Sequence, residues 1–110
     1  MAAYAIDPDV RRIAKRFGMD PALIQAVVQA EGNIVKAVQC SFPNVTTLEE
    51  ALEITCRSCA HAMSDYVKTL DKDGFVEFWG ARWAPIGAGN DPKALNSHWA
   101  PNVKKLWCSA

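Results

Sequence analysis

Apolar residues return every three or four positions along most of this chain, and no run of useful length alternates apolar with polar at the two-residue period of a half-buried strand. A stripe of that period buries itself only against other stripes, so the chain is confined to an all-α packing of short helices. Their ends are marked. Asp7-Pro8-Asp9 combines an N-cap, a proline at the first helical position and an acidic first turn. Val10, Ile13, Ala14 and Phe17 follow on one face, and Gly18 closes the helix. The same start recurs at Asp20-Pro21, from which Leu23, Ile24, Val27, Val28 and Ala30 carry an apolar face as far as Glu31 and Gly32. Asn33 to Gln39 reads as a loop or a short helix, broken by the turn residues Ser41-Phe42-Pro43-Asn44.

Thr47-Leu48-Glu49-Glu50 has capping-box spacing and opens the expected central helix, with Leu48, Ala51, Leu52, Cys56, Cys59, Met63, Val67 and Leu70 on one face. After a turn at Lys72-Asp73-Gly74, Phe75, Phe78 and Trp79 predict a short aromatic helix that Gly80 ends or interrupts and that exits at Trp83 and Pro85. Ile86 to Pro92 reads as a glycine-containing loop. Asn96 is the expected cap of a last helix with Trp99, Val103 and Leu106 inward, and Pro101 is tolerated only in its first turn. This predicts about five to six helices in one domain over residues 1–110, since a single core takes about 100–150 residues.

Half of the residues are hydrophobic and 22% are charged, a composition that buries a core without a metal or an oligomeric partner. A monomer without a cofactor is expected. Lys+Arg and Asp+Glu balance at 12 each, which provides no field for a polyanion such as nucleic acid and is compatible with a neutral sugar polymer. No run approaches the roughly 18 apolar residues of a membrane span. Met1 to Asp9 has no basic-then-apolar leader, which predicts synthesis in a cytosol. Cys40, Cys56, Cys59 and Cys108 are then expected as thiols. Cys56 and Cys59, with His61 nearby, raise zinc or redox chemistry, but Cys40, His98 and Cys108 lack the paired spacing of a second ligand pair and no strand precedes the motif. Small apolar side chains on a buried helix face account for the pair.

The residue that points to chemistry is Glu31. Leu23, Val27 and Glu31 are spaced by four, so the carboxyl continues the apolar stripe and faces the core or a cleft. Burial and the negative end of a helix both disfavour the charged form, which suits a proton donor. Glycoside cleavage needs such a donor, because the leaving sugar oxygen takes up a proton as the bond breaks through an oxocarbenium-like state. A helix-end glutamate turned to solvent is the competing structural reading.

The run Phe17-Gly18-Met19-Asp20-Pro21-Ala22-Leu23-Ile24 through Glu31-Gly32 resembles the opening of the lysozyme-like superfamily, in particular soluble lytic transglycosylases and goose-type lysozymes. The resemblance implies a compact, orthogonal helical bundle and maps the catalytic acid onto Glu31. Gly32 stands where those families carry Ser, and no Gly-Leu-Met-Gln segment follows. A second stretch, Phe75-Val76-Glu77-Phe78-Trp79-Gly80-Ala81-Arg82-Trp83-Ala84-Pro85 through Asn90-Asp91-Pro92 to Trp99, is similar to the late segment of bacterial and phage glucosaminidases and muramidases. There an aromatic-Ala step and an Asp-Pro turn line the cleft. What the resemblance implies is a peptidoglycan-cleaving enzyme acting on bacterial cell wall, of the kind found in phage endolysins and virion-associated lysins; without a leader, a membrane lesion or a virion must deliver it.

Pyranose faces pack on aromatic rings and acetamido groups need amide-type hydrogen bonds, which brings Tyr66, Trp79, Arg82, Trp83, Asn90, Asp91 and Trp99 into the expected cleft. The helical spacing of Trp79 and Trp99 fits a core role as well. Arg82 pairs with an acid or is a surface charge. Asp91 is the nearest candidate for a second carboxylate: about 6.5–9.5 Å from Glu31 suits inverting hydrolysis, and about 5–5.5 Å a retaining route. Without it, Glu31 acts alone as acid and then base, as in lytic transglycosylases. The missing Ser and Gly-Leu-Met-Gln features favour hydrolysis. The rival from another class is a non-catalytic phage structural or wall-binding module.

Overall fold

A computed structural model describes residues 5–69, 74–85 and 95–109. Within them the chain forms α1 (Pro8–Arg16), α2 (Pro21–Glu31), α3 (Ile34–Gln39), α4 (Leu48–Thr69), α5 (Phe75–Trp83) and α6 (Trp99–Ser109), with a 3-10 turn at Leu95–His98 leading into α6. The all-α expectation holds, at six α-helices and no strand among the described residues.

The local signals act as the side-chain chemistry requires. Asp7 and Asp20 each accept a backbone N–H in the first turn, from Asp9 at 2.8 Å and Ala22 at 2.9 Å. Each takes an N–H left unpaired at a helix start. Asn33 does the same for α3, accepting from Lys36 N–H at 3.1 Å, so the ambiguous 33–39 segment is a helix. At α4 the capping box is complete: Glu50 N–H donates to Thr47 Oγ1 at 3.2 Å, and Glu50 Oε1 accepts from Thr47 N–H at 3.2 Å.

Buried residues from all six helices form one cluster. Within it α4 packs against α1, α3 and α5, and α2 packs against α1 and α6. Two polar bonds link separate elements: Asp7 N–H donates to the buried Gln25 Oε1 at 2.9 Å, and Trp107 Nε1 donates to Asp20 Oδ2 at 3.1 Å. No helix is long and apolar enough to cross a membrane among the described residues.

Three expectations change. The buried face of α4 is shorter than its periodicity suggests: Ala51, Leu52, Thr55, Cys56, Cys59 and Ala62 are buried, Val67 is 67% exposed and Leu48 is exposed. Twenty-two residues at 1.5 Å each make a rod of about 33 Å, as long as the molecule is wide at 33 Å, so its ends pass beyond their packing partners. Leu70 lies outside the described residues. Gly80 neither ends nor interrupts α5 but sits inside it. Asn96 does not cap α6; it lies in the 3-10 turn and donates its Nδ2 to Pro85 O at 3.0 Å, tying the entry of α6 to the exit of α5.

The cysteine pair of α4 faces inward, and Cys56 and Cys59 are fully buried. Burial pushes the Cys56 thiol up to about 11. Burial, with Cys56 adding to it, takes Cys59 to about 12. A raised thiol pKa makes the reactive thiolate scarce at pH 8. Native protein treated with a disulfide reagent at that pH should therefore lose Cys40 and Cys108 quickly, both being exposed, and Cys56 and Cys59 only on unfolding. Fast modification of all four would show that the inner face of α4 opens in the native state.

Candidate functional site

Glu31 is the last residue of α2, and Gly32 ends the helix at φ +75°, a conformation that any residue carrying a Cβ resists. The stop fixes where the carboxyl emerges. Its Oε1 accepts two indole N–H bonds, from Trp83 Nε1 at 3.1 Å and Trp99 Nε1 at 2.8 Å. Oε2 accepts none among the described residues. One oxygen is held by α5 and α6 together.

Trp79 brings the two donors to one point. It is fully buried, and its ring packs edge-on against Trp83 (centroids 5.7 Å apart, planes at 60°) and Trp99 (5.6 Å, 86°). Such edge contacts orient rings as well as bury them. Trp79 is itself anchored, because its Nε1 donates to Ser58 Oγ on α4 at 3.0 Å. Gly80, the next residue, makes room: a Cβ there would lie 3.0 Å from the Trp99 ring. A glycine inside a helix costs about 0.5–1 kcal/mol relative to alanine, and here it allows the Trp99 indole to lie against α5.

Glu31 and Trp83 line a cleft of about 720 Å³. The α3–α4 region also lines it, with Ser41, Phe42, Arg57, Ser58 and His61. Phe42 is 51% exposed, and its backbone is held at both ends: its N–H donates to Val38 O at 2.9 Å, and its carbonyl accepts from Val45 N–H at 3.0 Å. An aromatic ring held at a cleft wall offers a flat apolar surface to a sugar face.

The energetics favour Glu31 in this position whichever form its carboxyl takes. An ionised carboxylate at a helix C-terminus costs about 0.3–1 kcal/mol against the dipole. Two hydrogen bonds to a charged acceptor contribute roughly 1.5–3 kcal/mol each. For a neutral carboxyl the bonds are worth about 0.5–1.5 kcal/mol each and the dipole cost disappears. The indole bonds outweigh the dipole in both forms, so they fix the orientation of the group.

Of the residues expected in the cleft, Glu31, Arg82 and Trp83 line it. Trp99 reaches the site from beneath through its N–H while its ring is 7% exposed, so it serves core and site together. Trp79 is a correction: fully buried and bonded to Ser58, it orients the other indoles and has no surface for substrate. Tyr66 is not among the described residues lining this cleft, and its ring packs on Phe75 and Phe78 at 5.6 and 5.3 Å. Arg82 pairs with Asp65 at 2.7 Å and stacks over Phe78, so its acid partner is not Glu31. Asn90 and Asp91 lie outside the described residues. The sequence reading missed the wall made by Phe42, Arg57, Ser58 and His61. No local spacing links these residues to Glu31, and the one available signal was a phenylalanine inside a turn.

Replacing Glu31 tests the cradle. Glu31→Ala leaves two indole donors without an acceptor, each worth about 1–3 kcal/mol when buried. A loss of about 2–4 kcal/mol in urea or thermal unfolding is expected. Glu31→Gln keeps an amide oxygen for both donors and should lose about 1 kcal/mol or less. Equal losses would show that the indole bonds do not hold the group. At Gly80→Ala, a helix gain of about 1 kcal/mol opposes an overpacking cost of about 1–3 kcal/mol against Trp99. A net loss is expected, and a stabilised variant would mean that Trp99 is free to move.

No known protein family, curated protein or solved structure matches the chain, so the chemistry of the site rests on its own geometry.

Proposed function

We propose that the chain cleaves the glycan strands of bacterial peptidoglycan by hydrolysis, with Glu31 as the general acid. The observation that carries this reading is the fixed carboxyl on a cleft wall: Oε1 held by Trp83 and Trp99, Oε2 left uncommitted. A carboxyl so held has one orientation, and a proton on Oε2 is presented to whatever lies in the cleft. Fixed geometry of this kind lowers a barrier by removing the search for it.

A sugar bound between Trp83 and Phe42 has an apolar surface on two sides. Glu31 gives its proton from Oε2 to the glycosidic oxygen as the bond to the ring carbon breaks. The carboxylate then takes a proton from the water that attacks the oxocarbenium-like centre, so one carboxyl closes the proton balance. In a lytic transglycosylase the sugar's own hydroxyl replaces that water, and the product is an anhydro sugar. Delivery by a phage, as an endolysin or a virion component, is part of the same proposal.

One observation favours a second reading. By accepting from α5 and α6, Glu31 ties three helices together, which is what a structural residue of a non-catalytic wall-binding module does. Glu31→Gln separates the two, since it retains the tie and removes the acid. Wild type and Glu31→Gln would be added to purified peptidoglycan, with turbidity and released muropeptides followed. General acid catalysis contributes about 10²–10⁴-fold, so a loss of at least about 100-fold is expected in a protein that remains folded. Equal release by the two would refute the enzymatic reading. Mass spectrometry of the products distinguishes a reducing-end muramic acid or glucosamine from the anhydro sugar.

A further inference from the structure

Two bonds from α5 pin one face of α4: Trp79 Nε1 donates to Ser58 Oγ at 3.0 Å, and Arg82 Nη1 donates to Asp65 Oδ2 at 2.7 Å. His61 lies between these anchors, three residues after Ser58 and four before Asp65, and therefore on the same face of the helix. That face lines the cleft. Its α4 residues are Ile54, Arg57, Ser58 and His61, at the spacing of one helical stripe, and Arg82 and Trp83 border the same space from α5. His61 is thus carried on the stretch of α4 that is tied to α5, and α5 in turn presents the Trp83 N–H to Glu31 at 3.1 Å. The residue is exposed to water.

Hydrolysis of a glycan moves two protons, one to the leaving oxygen and one from the attacking water. Among the described residues that line the cleft, Glu31 is the one carboxyl and His61 the one imidazole. The other titratable or charged side chains on the elements around His61 are Arg57 and Asp65 of α4, Arg82 of α5 and Cys40 at the end of α3. Arginine has no lone pair with which to accept a proton. Asp65 is engaged by Arg82, and the Cys40 thiol is directed to Lys36 O at 3.7 Å. An imidazole accepts a proton near neutral pH.

We infer that His61 is a second catalytic residue of the cleft, taking a proton from the attacking water while Glu31 protonates the leaving oxygen. The inference rests on the glycan-cleaving reading and divides its proton transfers between two groups. The water oxygen bonds to the ring carbon as the bond from that carbon to the glycosidic oxygen breaks. The leaving oxygen receives the Glu31 proton, and an unprotonated ring nitrogen of His61 receives one proton of the water. Exchange with solvent then returns a proton to Glu31 and removes one from His61, so one water is consumed and both groups are restored. In the one-carboxyl route the water's proton goes to Glu31 instead, and His61 has no part in the rate.

The test compares wild type, His61→Ala, His61→Gln and Glu31→Gln on soluble, uncross-linked peptidoglycan strands, with and without azide. His61 is exposed on a helix, and alanine and glutamine are good helix formers, so both of its variants are expected to fold. Loss of a general base costs about 10²–10⁴-fold, so kcat should fall at least about 100-fold in both His61 variants with KM little changed. Azide attacks without giving up a proton. It should therefore restore cleavage by His61→Ala, leave wild type unaccelerated, and put a glycosyl azide among the products by mass spectrometry. Glu31→Gln should not be restored, because there the leaving oxygen lacks its proton. Undiminished cleavage by His61→Ala, full activity in His61→Gln, or a loss that azide does not repair overturns the assignment while leaving Glu31 as the acid. Undiminished cleavage by Glu31→Gln overturns the catalytic reading itself, and this inference with it.

Discussion

The contact on which the site depends is the burial of one indole. Trp79 has no exposed surface, is anchored to α4 through Ser58, and carries the rings of Trp83 and Trp99 on its edges. Those two rings turn their N–H groups to a single oxygen of Glu31. Four helices therefore meet through side chains that are mostly hydrocarbon. An indole is suited to this because it buries a large area and still has one polar atom to direct, so packing and hydrogen bonding are met by the same residue.

Holding one carboxyl oxygen from behind has a consequence for the chemistry proposed. A glutamate at a helix end has rotamers to spare, and each unproductive one dilutes the reactive geometry. Two donors on Oε1 remove most of that freedom. They leave Oε2 as the atom that faces change, whether it loses a proton to a leaving oxygen or receives one from water. The glycines serve the same end. Gly32 stops α2 at the carboxyl, and Gly80 lets Trp99 come close enough to reach it.

The two sides of the cleft differ in kind. Glu31 of α2 and Trp83 of α5 supply a carboxyl and an indole, while the α3–α4 side supplies Phe42 and the polar residues Arg57, Ser58 and His61.

Much of the fold was legible because its determinants are local. An Asp-Pro start, a capping box and a glycine stop act within one helical turn, and the periodic stripe states which face is buried. Glu31 was legible for the same reason, as the last position of a stripe. Residues such as Trp79 and Trp99 were ambiguous, since an aromatic at helical spacing looks alike whether it is buried or presented to a ligand. The reach of the α4 stripe was overestimated because spacing carries no record of where the partner helices end.

The sequence by itself determined the all-α class, the starts of α1, α2 and α4, and the emergence of a carboxyl at the end of α2. Tertiary structure alone decided what that carboxyl meets. Trp83 and Trp99 lie 52 and 68 residues away along the chain, and Ser58 and Arg57 sit on a helix whose pattern speaks only of its own buried face. Contacts between distant segments depend on how stripes pack and at what angle, a property of pairs of helices that neither member's sequence contains.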